Sequence, residues 1–310
     1  MKIIHDPAEL APPTGRVCAA IGMFDGVHLG HQQVIRQAVT DAHQHEAASL
    51  CVTFDRHPAT IIAPTRAPRL IQSPSQRLDA IVALGIDATL LLKFDEAMSQ
   101  VPATDFIRQL HKGLGDIKSL CVGAKFAFGH NRTGDVALLQ QLGGELHFTV
   151  HGLAAVALDG QTVSSTRIRQ AITEGQLDDV TQMLGREYAL AGQVILGDQR
   201  GRDLGHPTAN LDCTGLCVPP HGVYAAHAEV DGQTHRAAVN LGHRPTVADA
   251  TPSFHVEAHL LDFDSDLYGK TLQLTFVQKI RDEQKFGSLE VLQAQITKDI
   301  AAIRGIFADR

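Results

Sequence analysis

GMFDGVHLGH, residues 22–31, is the stretch on which the reading of this chain turns. Ahead of it Val17, Cys18, Ala19, Ala20 and Ile21 form an unbroken apolar run, the pattern of a strand buried on both faces. Behind it Val34, Ile35, Ala38, Val39 and Ala42 recur at helical spacing, which predicts a helix starting near Gly30. The strand ends at Gly22, and in the loop between them Gly26 and Gly30 let the backbone approach a ligand closely. The free N–H groups of a helix's first turn offer donors and partial positive charge to an anion. His28 and His31 add side-chain donors at the same place, so the stretch predicts a nucleotide-phosphate site. It is neither a Walker loop nor a dinucleotide fingerprint, because GxxxxGK[ST] and GxGxxG are both missing.

Working outward, apolar runs at 48–54, 88–92, 117–122 and 146–150 predict further strands, and 76–84, 104–114 and 135–142 read as helices. Strands alternating with helices imply a parallel sheet covered on both faces, with its ligand at the carboxyl ends of the strands. Phe54 at the end of the second run, and Phe126 and Phe128 after the fourth, bring aromatics to that rim, where a flat ring system can lie against them. Ser164, Ser165 and Thr166 then open another helix. A cation in a helix's first turn opposes the dipole, so Arg169 is better explained by an anion it holds than by helix stability.

After residue 185 the period changes. Short β-type segments at 193–196, 223–230, 237–241, 255–261 and 271–277 predict a closed antiparallel barrel or a sandwich. One helix follows, capped by Ser288, with Leu289, Leu292, Ile296, Ile300 and Ile303 as its apolar stripe. The expected domains are therefore 1–185 and 186–310. In the second, Gly201, Arg202 and Gly205 belong to a loop suited to phosphates, and Thr208 and Asn210 present oxygens two residues apart on one side of an extended segment. Hard oxygen ligands of that type suit Mg²⁺ bound together with ATP phosphates.

Composition removes several function classes. A chain of 310 residues, 44% of them hydrophobic, has room for two cores. The net charge of −7 argues against a nucleic-acid partner. The sequence shows no signal-peptide pattern and no run of 18 apolar residues, so a membrane is not expected and the cytoplasm is. Five scattered cysteines fit a reducing compartment; Cys213 and Cys217 read as incidental loop residues rather than half a zinc site. Nothing in the sequence names a protein partner, and self-association is left open.

The motifs also carry a resemblance. His28-Leu29-Gly30-His31 resembles the [HT]xGH signature of the nucleotidyltransferase superfamily, and Phe24-Asp25-Gly26-Val27-His28 resembles the FDGVH block of the bacterial flavin-nucleotide adenylyltransferases. Residues 164–169 resemble that family's SSTxIR motif, with Arg169 at its arginine and Arg167 at its variable position. GRDLGHPTAN, residues 201–210, resembles the GRxLGxPTAN signature of riboflavin kinases, and the blocks at 222–224, 240–246, 257–263, 267–270 and 280–286 follow in the kinase's order. The resemblance is to the bifunctional riboflavin kinase/FAD synthetases. It implies a Rossmann-like nucleotidyltransferase domain with a parallel sheet, then an antiparallel β-barrel with a terminal helix. It further implies phosphorylation of riboflavin and adenylylation of FMN, with riboflavin, FMN and ATP as ligands and Mg²⁺ as cofactor.

The site residues implied are Glu257, matching the kinase's catalytic glutamate, and His28, His31 and Arg169 for adenylyl transfer. Gly22, Phe24, Asp25, Gly26, Gly30, Ser164, Ser165 and Thr166 would surround ATP in the first domain, and Gly201, Arg202 and Gly205 in the second. Flavin would meet Phe54, Lys125, Phe126 and Phe128, and in the kinase Arg281. The sequence departs from the family at Lys125, where a carboxylate or amide is usual, at Met23, often Asn, and at His206, usually Phe. Lys125 motivates a second reading, a kinase with a weakened adenylyltransferase half. A third is a flavin-binding sensor without turnover, against which Glu257, Asn210, His28 and His31 together speak.

Overall fold

The alternation of the first 185 residues folds as a single parallel sheet because each apolar run is followed by a helix long enough to cross over it. The computed structural model describes residues 2–10, 15–197, 205–244 and 253–308. Gly201 and Arg202, expected at ATP, and Pro245 and Thr246 lie outside the described residues. Contacts divide the chain into two units, Met1–Ile168 with Met183–Gly185, and Arg169–Gln182 with Arg186–Arg310.

The elements up to the second unit's barrel are β1 (Lys2–Ile4), β2 (Arg16–Ile21), α1 (Leu29–His45), β3 (Ala48–Phe54), α2 (Ala59–Ile62), α3 (Pro74–Val82), β4 (Ala88–Leu92), α4 (Glu96–Ser99), α5 (Ala103–Leu114), β5 (Asp116–Gly123), α6 (Val136–Leu146), β6 (Thr149–Leu153), the hairpin β7 (Ala157–Leu158) and β8 (Gln161–Thr162), α7 (Ser165–Glu174) and α8 (Leu177–Leu184). The sheet order is β1-β4-β3-β2-β5-β6, and every neighbouring pair is parallel. From β2 the chain steps one way to β3 and β4, then returns to β5 on the other side. The switch point therefore falls between β2 and β5, above the carboxyl end of β2.

Side-chain alternation along β2 explains why both faces are covered. Val17, Ala19 and Ile21 pack with Phe106, Ile107 and Leu110 of α5 and with Leu139 and Leu142 of α6. On the opposite face Ala20 packs with Val34, Ile35 and Ala38 of α1 and Ile81 of α3.

Boundaries moved where capping overrode periodicity. Ser73 and Gln76 form a capping box that starts α3 at Pro74, two residues before the expected 76. Helix α6 runs on to Leu146, and His147 caps it with a φ of 62°, so the strand expected over 146–150 begins only at Thr149.

In the second unit β9 (Ala189–Ile195), β10 (Ala209–Asp212), β11 (Gly222–Val230), β12 (Gln233–Arg244), β13 (Ser253–Leu260) and β14 (Thr271–Arg281) close a barrel in the order β10-β13-β12-β11-β14-β9. Between the two architectures expected, the closed barrel is the one found. Every pair is antiparallel. Along β11, Tyr224, Ala226 and Ala228 are buried on one face, while Val223 and Ala225 on the other pack against Ile303 of the terminal helix α9 (Leu289–Ala308). Outward residues of several strands thus form an apolar seat for α9, which is why its stripe reads Leu292, Ile296, Ile300 and Ile303.

Candidate active sites

In the first unit the loop after β2 is held in a demanding conformation. Phe24, Gly26 and Val27 all have positive φ, at 52°, 84° and 40°, and for a β-branched valine that is a strained backbone. Buried groups hold it there. Val27 N donates to Phe24 O at 3.0 Å, and Gly22 N donates to Val52 O at 3.1 Å. The buried Asp25 carboxylate accepts from Ile71 N at 3.0 and 3.2 Å. Gln32 Nε2 donates to Val27 O at 3.0 Å and to Leu184 O at 2.7 Å.

The loop delivers two stacked imidazoles to the start of α1. His28 is the helix N-cap: its Nδ1 accepts from His31 N at 3.4 Å. An acceptor nitrogen carries no proton, so the neutral ring bears its hydrogen on Nε2 and is a donor there. The rings of His28 and His31 are 3.6 Å apart and inclined by 19°. Phe24 is buried in the core and meets His31 edge-on at 5.3 Å, so it braces the second imidazole. A Cβ at Gly30 would lie 3.3 and 3.4 Å from the His28 ring, so the absence of a side chain there leaves room for the imidazole.

The hydroxyls of Ser164 and Ser165 have structural partners as well. Ser164 Oγ accepts from Arg167 N at 3.3 Å, and Ser165 Oγ donates to Asp25 O at 3.0 Å, which ties α7 to the histidine-bearing loop. Thr166 is exposed. Arg167, at the variable position, clamps the β7–β8 hairpin through Leu158 O and Gln161 O, both at 3.1 Å. Arg169 lies one turn beyond Ser165 and is grouped with the second unit.

Beside the loop a cavity of about 400 Å³ opens at the carboxyl ends of β2 to β5. Ile21, Met23, Phe54, Phe94, Phe106, Phe126 and Phe128 line it. Phe126 and Phe128 stack at 5.2 Å, and Phe54 meets Phe94 edge-on at 5.3 Å. Lys125, expected at the flavin, is exposed and does not line this cavity. His57 and Arg132 do line it, and the sequence reading missed both.

Antiparallel register builds the second site. Asn210 stands opposite Glu257, Glu257 opposite Asn240, Asn240 opposite Val223, and Val223 opposite Arg281. Directly opposed residues share a face, so these side chains form one row across the outside of the barrel. Glu257, Asn240 and Arg281 line a cavity of about 330 Å³, whose other wall is Phe286 with Leu292, Ile296 and Ile300 of α9. A second cavity, about 480 Å³, is lined by Val194, Pro207, Phe263, Asp264 and Tyr268. Thr208 borders both. Asn210 is buried and lines neither; a Cβ on Gly197 would overlap its amide, so the chain leaving β9 passes directly over it. Gly205 is exposed with a φ of 79°.

Arg281 is committed to a buried ion pair. Its Nε donates to Asp299 at 2.9 and 3.1 Å, its Nη2 lies 2.8 Å from the same carboxylate, and Gln295 Nε2 donates to Asp299 at 2.8 Å. The guanidinium therefore borders the cavity as the bolt that fastens α9. His206 meets His259 edge-on at 5.3 Å, and His259 Nδ1 donates to Pro207 O at 2.8 Å. Burial, and then the neighbouring His259, lower the His206 pKa. All five cysteines are free and buried, and no group of three or more His, Cys, Asp or Glu suited to a metal occurs among the described residues. No helix among them is long and apolar enough to cross a membrane.

Comparison with known proteins agrees with this layout. The family model for FAD synthetase matches residues 11–167 and that for riboflavin kinase matches residues 184–307. A bifunctional riboflavin kinase/FMN adenylyltransferase of Pseudomonas fluorescens is 38% identical over 99% of this chain and 98% of its own length. The protein of the same name from Escherichia coli K12 is 35% identical over 99% and 98%. A solved structure called a macrolide-efflux protein, from Streptococcus pneumoniae, matches with a TM-score of 0.81 and 28% identity, covering 97% of this chain and 98% of that one. With both domain models matched in order and full-length relatives above 30% identity, this chain belongs to the bifunctional riboflavin kinase/FMN adenylyltransferase family.

Proposed function

We propose that the barrel unit transfers the γ-phosphate of ATP to the ribityl hydroxyl of riboflavin, and that the sheet unit transfers AMP from a second ATP to the resulting FMN. The products are FMN and ADP, then FAD and pyrophosphate. The observation that carries the reading is Thr208, which borders two cavities at once, with Glu257 in one of them. A flavin against Phe286 and α9 and a nucleotide against Phe263 and Tyr268 would bring the hydroxyl and the γ-phosphate together beside Thr208.

Glu257 accepts the hydroxyl proton as the oxygen attacks phosphorus. The Thr208 hydroxyl, which borders the Glu257 cavity, and the Asn210 amide oxygen, on the strand position opposite Glu257, are a hard donor set that would fit Mg²⁺ completed by nucleotide phosphates and water. When bound there, the ion supplies charge neutralisation to those phosphates.

In the sheet unit the nucleophile is a phosphate oxygen, already ionised, and needs no base. Catalysis rests on alignment and on stabilising the pyrophosphate that departs. His28, donating from Nε2, His31 stacked on it and the first-turn amides of α1 are the groups assigned to that charge, together with Arg169. The Phe54, Phe126 and Phe128 cavity receives the isoalloxazine ring. The exposed position of Lys125, outside that cavity, gives no support to a weakened adenylyltransferase half. The test is a product assay with riboflavin, ATP and Mg²⁺ in which chromatography resolves FMN from FAD. Both are expected; absence of FMN refutes the kinase, and FMN without FAD refutes the adenylyltransferase.

A further inference from the structure

Behind the strand ends of the first unit lies a cation that lines none of the cavities described. Arg77, on α3, is only 3% exposed. Its Nη1 donates to Met23 O at 3.2 Å and its Nη2 to Phe54 O at 2.6 Å. Thr53 Oγ1 donates to the same Met23 carbonyl at 3.1 Å. Among the described residues no carboxylate forms an ion pair with the guanidinium; Asp25 and Asp55 act on its charge only at longer range. Nη1 also lies 3.6 Å from Met23 Sδ, and among the described residues Nε is buried without an acceptor; burying a cation on neutral acceptors is costly, so folding stability by itself does not explain it.

The two carbonyls mark what Arg77 joins. Met23 lies between β2 and the strained turn that delivers His28 and His31. Phe54 ends β3 and forms part of the aromatic wall. Met23 lies beyond the end of β2, where the ladder no longer fixes it, whereas Phe54 is the last residue of β3 and is still paired with Leu92 of β4, so the guanidinium ties the free segment to a fixed one. The planar guanidinium, with rigidly disposed donors, can span both carbonyls, as an ammonium cannot.

We propose that Arg77 is a positioning residue for adenylyl transfer, holding the Met23 and Phe54 carbonyls together so that the histidine loop stays in register with the wall that receives the flavin. This rests on the reading of the sheet unit given above. A displacement of about 1 Å between reacting groups costs on the order of a hundredfold in rate.

The test uses full-length Arg77→Gln and Arg77→Lys, each assayed for FAD formation from FMN and for riboflavin phosphorylation in the same preparation. In Arg77→Gln the kcat for FAD formation is expected to fall at least about tenfold and KM for FMN to rise at least about threefold. Arg77→Lys falls between this variant and the parent, and riboflavin phosphorylation stays within about twofold in both. A smaller folded fraction lowers kcat and leaves KM in place, so a fall in kcat at unchanged KM overturns the proposal. Equal loss of both activities overturns it too, as does FAD formation within about twofold of the parent. An unmodified chain that makes no FAD refutes the underlying reading of the sheet unit, and is recognised by that control alone.

Discussion

Replacing Asp299 by alanine isolates the interaction that fastens the terminal helix to the barrel. The carboxylate is 7% exposed and the Arg281 side chain 17%, with N–O distances of 2.8 to 3.1 Å across the pair. Removing one partner of a buried pair costs about 3–5 kcal/mol, because the other charge is left without compensation. Arg281 keeps some contact with water and one bond to Asp282 O at 3.0 Å, which sets the expected loss near the lower end, about 3 kcal/mol. For a domain of this size that is a fall in Tm of about 10 °C. Calorimetry reads it in the transition that riboflavin shifts upward. Since Leu292, Ile296 and Ile300 of the same helix line the cavity beside Glu257, KM for riboflavin should rise while FMN adenylylation is unaffected. Arg281→Met combined with Asp299→Leu should recover most of the loss, as no charge is then stranded. A loss below about 1 kcal/mol in the single variant would refute the reasoning, since it would mean the pair is effectively solvated.

Other outcomes follow from the same structure. Glu257→Gln should lower riboflavin phosphorylation by about 10²–10⁴-fold with FMN-to-FAD conversion retained, measured by separating the flavins chromatographically. His28→Ala should do the reverse, abolishing FAD formation while the kinase persists. The Cys213 thiol is pushed up to about 12, first by burial and then by Asp212. The folded state thus keeps a proton that the unfolded chain releases near pH 9, so this contribution to stability holds below pH 9 and is lost as pH climbs toward 12. At pH 8 a disulfide thiol reagent should react slowly with the native protein and promptly with all five cysteines in denaturant; prompt reaction of the native protein would contradict their burial.

Much of this site was legible before any coordinates. GMFDGVHLGH announced its strand, loop and helix because apolar period and glycine placement are local properties, and α1 begins at Leu29, one residue from the expected start. Strand β1 went unread because three residues are too few to show a period, and β10 was seen only as an extended polar segment. The place of Lys125 was not legible for a different reason: a motif position says nothing about which side chain turns toward a cavity, and this one is exposed outside the aromatic cavity.

What the sequence determined by itself is the set of local decisions: two kinds of periodicity, the helix caps, and the motif residues whose neighbours in the chain are also their neighbours in space. What only the tertiary structure decided is every partnership across strands and elements. The row from Asn210 through Glu257 to Arg281 depends on barrel register, the Arg281–Asp299 pair on where α9 docks, and the Arg77 bridge on how α3 packs beneath two strand ends. A chain encodes such contacts only through the summed burial that selects one register over its alternatives, and no short window of residues contains that sum.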